Sequence, residues 1–98
     1  MQDEKILTAA IWYKDFVNGL HNPANITSGL VLYGYRHVHI VSQMAVLQNK
    51  SLADCGEYVH GFLTNNGRFV DRKEAAKIFV GNGGVLGYSK DELYSEDL

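Results

Sequence analysis

The chain is poor in the residues that carry covalent and metal chemistry. It holds a single cysteine, Cys55, in 98 residues, which excludes an intramolecular disulfide and a cysteine-built zinc cluster. Set between Asp54 and Gly56, that thiol reads as an inert group at the start of a strand. Pairing it with His60 as nucleophile and base leaves the oxyanion hole and the orienting carboxylate unassigned, so no catalytic residue is expected. The four histidines, His21, His37, His39 and His60, are too few and too scattered for a zinc site, so neither a metal nor another cofactor is expected. Positive charge is scarce as well: nine Lys and Arg stand against eleven Asp and Glu, a net −2. Duplex nucleic acid, which needs a broad basic face, is therefore not an expected partner. Long apolar runs are absent, with nothing near the ~20 residues of a membrane span. Met1 to Lys5 lacks the basic start of a secretory signal, so a cytosolic location is expected.

What is present is an ordinary folding composition, 46% hydrophobic and 20% charged, enough for one domain with one core. Lys5 to Tyr13 is apolar on both faces and predicts a central strand, with the small Ala9 and Ala10 leaving room for a close neighbour. Lys14 to Ser28 is polar, holds the one proline, Pro23, and predicts a long loop placed to help form a site. Gly29 to Tyr35 predicts a second strand, antiparallel to the first. The spacings 37/41/44/48 and 40/44/47 predict a helix from about His37 to Asn49. Tyr58, His60 and Phe62 alternate with Val59, Gly61 and Leu63, which predicts a strand over Gly56 to Thr64. Asn66-Gly67 supplies the positive φ of a tight reversal, and a short strand follows from Arg68 to Val70. A second helix is predicted from Arg72 to Val80, stopped by Gly81, Gly83 and Gly84. Because these glycines end a helix instead of opening one, they do not make a phosphate loop. In the acidic tail, Ser89 and Glu92 predict a short capped helix. The sum is a single α+β domain, a small mostly antiparallel sheet of three to four strands with two main helices against one face.

Chemistry gathers at two places. Asp71 and Glu74 stand at capping-box spacing, with Asp in the first position, so the free N–H groups of a helix start lie within a few residues of Arg68 and Arg72. Donors, dipole and fixed charge converge there as a phosphate-bearing ligand requires, and Asn65 and Asn66 are placed to read polar edges. Arg36 and His37 open the other helix, immediately behind Tyr33 and Tyr35. Most aromatics of so small a domain must build its core; Phe62 and Phe69 are the candidates to flank a purine. His39 and His60 read as core or surface histidines. The candidate ligand-binding set is therefore Arg36, His37, Phe62, Asn65, Asn66, Arg68, Phe69 and Arg72.

Five separated blocks carry a resemblance. They are Glu4-Lys5-Ile6-Leu7-Thr8-Ala9-Ala10-Ile11-Trp12-Tyr13, Gly34-Tyr35-Arg36-His37, Gly61-Phe62-Leu63-Thr64, Arg68-Phe69-Val70-Asp71-Arg72-Lys73-Glu74-Ala75 and Leu93-Tyr94-Ser95-Glu96-Asp97-Leu98. In that order they resemble the first family of phage anti-Thoeris proteins. The resemblance implies a molecular sponge, working in the cytoplasm of the infected bacterial host, that binds cyclic ADP-ribose isomers and sequesters them uncleaved so that the Thoeris effector stays inactive. It also implies a homodimer or higher homo-oligomer with pockets between protomers and, in some members, binding of cyclic di- or trinucleotides. By resemblance, Arg36 and the turn residues Asn66, Arg68 and Phe69 enter the ligand pocket. Two rival readings stay open: a small phosphodiesterase using His37 or His39 against the same signals, and a protein-interaction inhibitor of a host defence factor.

Overall fold

The two-sided apolar run of β1, Ile6–Tyr13, sets the architecture. The computed structural model describes residues 4–16, 18–19, 22–48 and 56–98; the readings of His21, Cys55 and a helix end at Asn49 fall outside them. In chain order the elements are β1, β2 (Leu30–Gly34), α1 (His37–Gln48), β3 (Tyr58–Thr64), β4 (Phe69–Asp71), α2 (Arg72–Gly81) and a 3-10 turn at Ser95–Asp97. The strands lie in the order β2-β1-β3-β4, and every neighbouring pair is antiparallel. β1 is thus central, as its two apolar faces require.

Successive side chains of a strand leave on opposite faces. On one face Ala9, Ile11 and Tyr13 join Phe62 and Val70, and this surface is covered by Ile40 and Met44 of α1, by Ala75, Ala76 and Ile78 of α2, and by Leu93 of the tail. On the other face Ala10, Val31 and Phe69 pack under Ile26, flanked by Trp12 and Val59. The long loop before β2 therefore serves as cover for the sheet. Asn25 grips the backbone of Phe69 from both sides, its Nδ2 donating to the carbonyl at 2.6 Å and its Oδ1 accepting from the amide at 2.8 Å.

Local sequence signals account for the reversals. Gly67 takes the positive φ, +74°, and its amide closes the β3–β4 turn on the Thr64 carbonyl at 3.0 Å. Asp71 caps α2 by accepting from the Glu74 amide at 2.8 Å. Glu74 does not complete a reciprocal box; its carboxylate turns to Arg68 at 3.5 Å. The helix expected from Ser89 is replaced by a local turn, in which the Asp91 amide donates to Ser89 Oγ at 3.4 Å. Helical geometry in the tail is confined to Ser95–Asp97.

Gly61 sits where β3 passes beneath the Phe69 ring. A Cβ there would meet the Val70 carbonyl oxygen and, at 2.6 Å, Phe69 Cζ. Gly61→Ala is expected to destabilise by about 2 kcal/mol and to lower the melting temperature by about 10 °C. An unchanged transition would show that the Phe69 ring does not press on the strand.

Candidate functional site

The hairpin that the sequence marks for an anion does hold one, and it is the chain's own Glu4. Arg68 donates to both Glu4 oxygens, at 2.6 Å from Nε and 2.7 Å from a terminal nitrogen, and Thr64 Oγ1 donates at 2.7 Å. These bonds, that of Arg68 first, hold the Glu4 carboxyl below its usual range. Asn65 bonds the backbone of Lys5 in both directions, at 2.7 and 3.0 Å, and the Asn66 amide donates to Thr64 Oγ1 at 3.3 Å. Asn65, Asn66 and Arg68 thus fasten the hairpin to the entry of β1. Phe62 is fully buried and Phe69 nearly so. Phe69 meets Trp12 edge-on at 6.2 Å, so both rings are core side chains in this chain.

A second group of the expected residues surrounds the tail. Arg36 donates to the Ser95 carbonyl and lies over the Tyr35 ring at 4.5 Å. Arg72 lies over the Tyr94 ring at 4.5 Å, while its carbonyl accepts from the Leu93 amide at 3.0 Å. The segment Leu93-Tyr94-Ser95 is held between the starts of the two helices, with Leu93 and Ser95 buried. His37, also buried, places Nε2 at 2.8 Å from the Gly61 carbonyl. A carbonyl only accepts, so the proton sits on Nε2, and Nδ1 is left as a buried acceptor without a partner.

Between β3 and α2 lies an open groove of about 600 Å³, lined by Tyr58, Val59, His60, Asp71, Arg72, Lys73 and Glu92. His60 stacks on His37 with centroids 4.8 Å apart and planes within 6°, and Tyr58 leans on it at 5.5 Å. Both ring nitrogens of His60 and Nε of Arg72 are buried without a hydrogen-bond partner. Such groups are rare in folded chains. Burial, then the Arg72 charge, then His37, lower the His60 pKa to about 4; burial likewise lowers that of His37. The groove therefore combines a guanidinium, an ammonium group, the N-terminal end of α2, the uncharged imidazole of His60 and the flat ring of Tyr58. Its carboxylates are Glu92 and Asp71, the latter committed to capping α2. Among the described residues no group of His, Cys, Asp and Glu is placed to hold a metal, and no helix is long and apolar enough to cross a membrane.

A family model described as phage T4 y16D protein matches residues 5–98, a span that takes in every strand and helix and both walls of the groove. The chain belongs to the phage T4 y16D protein family. No curated protein and no solved structure matches it.

In this y16D-family chain, then, the expected residues separate. Arg72 lines the groove and His37 stands behind its wall; Arg36 braces the tail; Asn65, Asn66 and Arg68 form the Glu4 knot; Phe62 and Phe69 belong to the core. The groove adds Tyr58, His60, Lys73 and Glu92, none of which sequence reasoning singled out for a ligand. One signal for His60 was present: it shares the period-two face of Phe62, so a core-side Phe62 puts an imidazole on the same buried face, where its nitrogens need partners.

Two measurements test this electrostatic description. Unfolded His60 takes a proton near pH 6.5 and the folded residue only near 4. Between those values the unfolded chain binds more protons, so stability falls as pH falls through that window. Stability measured by denaturant unfolding should fall between neutral pH and pH 4, and His60→Gln should flatten the slope. A slope unaltered by the substitution would assign the acid sensitivity to other groups. Separately, Arg68→Ala should cost about 1 kcal/mol, some 5 °C of melting temperature, and should raise the Glu4 carboxyl toward its ordinary range in an NMR titration. A Glu4 titration unaffected by the change would refute the pairing as its cause.

Proposed function

We propose that this phage-family protein binds a small phosphate-bearing nucleotide signal in the His60–Arg72 groove and sequesters it uncleaved, with cyclic ADP-ribose isomers as the ligand class. The observation that carries the reading is that Arg72, at the start of α2, and His60, on β3, line one groove with Arg72 Nε and both His60 nitrogens buried and unpartnered. A pyrophosphate joined to an adenine needs a few cations, a helix N-terminus and a flat wall, and does not need a basic surface. The groove's volume, about 600 Å³, falls within the range typical of small-molecule sites. The resemblance to the anti-Thoeris sponges supports the same ligand, the cytoplasm of the infected host as the place of action, and a homo-oligomer in which a second copy closes the open side. Cyclic di- and trinucleotides belong in the same test. Sequestration requires affinity and slow release, and no bond need be broken.

One observation favours a protein partner instead. On the neighbouring side of α2, a groove of about 620 Å³ is lined by Lys73, Lys77 and Lys90 against the carboxylate of Asp91, with Ala76, Val80 and Leu86 between them, a surface suited to an acidic protein partner.

Thermal unfolding with a panel of cyclic ADP-ribose isomers and cyclic oligonucleotides separates the readings. A ligand at a hundredfold its Kd should stabilise the fold by about 2.7 kcal/mol, more than 10 °C for a domain of this size, and should be recovered unchanged after heat denaturation. Arg72→Gln should weaken binding at least tenfold, about the loss of one charge-assisted hydrogen bond. Cleaved ligand would turn the reading to a phosphodiesterase; no shift with any ligand would turn it to the protein partner.

A further inference from the structure

We infer that the groove takes up its anionic ligand together with one proton, and that His60 carries it. The inference rests on the nucleotide reading of the groove. Its starting point is a mismatch of hydrogen-bonding capacity. A neutral imidazole offers one donor and one acceptor, whereas ionised phosphate oxygens only accept. An uncharged His60 can donate to a phosphate from one nitrogen only, which leaves the other a buried acceptor that phosphate oxygens cannot satisfy. Protonation converts both ring nitrogens, now buried without partners, into donors that the ligand can satisfy.

The free protein opposes that proton for reasons an anion removes. His60 is half-buried, and the Arg72 charge acts on it from α2. A phosphate held by Arg72 offsets this charge and supplies the acceptor that burial denies. From α1 the stacked ring of His37, at 4.8 Å, limits the pair to one proton, because two parallel imidazoliums at that distance repel. Of the two, His60 lines the groove. His37 stands behind it with its Nε2–H bonded to the Gly61 carbonyl, so only His60 can set a newly gained N–H against the ligand. The other polar neighbours are fixed features of the site. Tyr58 flanks the ring from β3, Asp71 and Lys73 line the groove at the start of α2, and Glu92 reaches it from the tail. Glu96 acts on His37. Arg36 is turned to Ser95 and His39 to the Tyr35 ring. From β1 the residue opposite His60 in register is the apolar Ile11.

The proton uptake distinguishes this mode from binding by fixed charges alone. A pyrophosphate diester is fully ionised across the working range, so a proton gained on binding resides on the protein or on the adenine ring, and the His60 nitrogen shifts distinguish the two. The test uses whichever cyclic ADP-ribose isomer gives a thermal shift, titrated calorimetrically near pH 7 in two buffers of different ionisation enthalpy. About one proton should be taken up per ligand bound, and Kd should fall close to tenfold for each pH unit lowered toward 6. His60→Gln, which keeps a polar side chain but cannot take the proton, should bind with no uptake and a flat pH profile. The ring nitrogen shifts of His60 in the saturated wild-type complex should report an imidazolium, a readout that does not depend on the variant folding. Binding without proton uptake, or an imidazole that stays neutral in the complex, would overturn the inference and leave the nucleotide reading standing. Failure of every panel member to bind would remove both.

Discussion

The structure depends on the burial of one strand from two sides. Ala9, Ala10, Ile11 and Tyr13 have no accessible surface, so β1 needs a strand on each edge and a cover over each face. The edges come from β2 and β3. One face is closed by both helices and Leu93; the other is closed by Ile26 of the long loop with Phe69 and Val31. Small residues make the second closure possible. Ala10 and Gly61 lie opposite each other in register, and the Phe69 ring occupies the space where a side chain at Gly61 would stand. A chain of 98 residues can protect only a small core, and this one does so by using a loop where larger domains use another layer of helices.

Tying such a fold together uses polar side chains that could otherwise meet a ligand. Arg68 is closed on Glu4, and Arg36 is closed on the tail carbonyl of Ser95. Arg72 differs: its guanidinium rests on the Tyr94 ring while its Nε remains without a partner. The three arginines of the chain are thus chemically alike and energetically distinct. Only the last has capacity left over at a groove, and that leftover capacity, matched by the two nitrogens of His60, is what makes this face the candidate site. The same tail that supplies Tyr94 also supplies Glu92 to the groove wall, so docking of the tail and the shape of the site are coupled.

Much of the fold was legible because its signals are local. The two-sided apolar run of β1, the alternation of β3, the Asn-Gly reversal with φ +74° at Gly67 and the Asp71 cap of α2 each depend on residues a few positions apart. The failures have the same origin. Ser89 and Glu92 have the spacing of a helix start, yet the burial of Leu93 and Ser95 and the bond from the Leu93 amide to the Arg72 carbonyl hold the chain out of a helix there, with Tyr94 extended. The loop before β2 looks like a free polar segment until Asn25 is seen to grip the backbone of Phe69, 44 positions away.

The sequence by itself determined the four strands, the two main helices, their order, and the accumulation of positive charge at a capped helix start. The tertiary structure decided which charges are spent and which are available. Glu4 and Arg68 are separated by 64 positions and His37 and Gly61 by 24, so no local pattern reveals that one arginine already has its anion or that one imidazole already has its acceptor. Capacity for a ligand is what remains after such long-range pairs have formed, and in this chain it remains at His60 and Arg72 because the packing of β3 against α2 buries their nitrogens without giving them a partner.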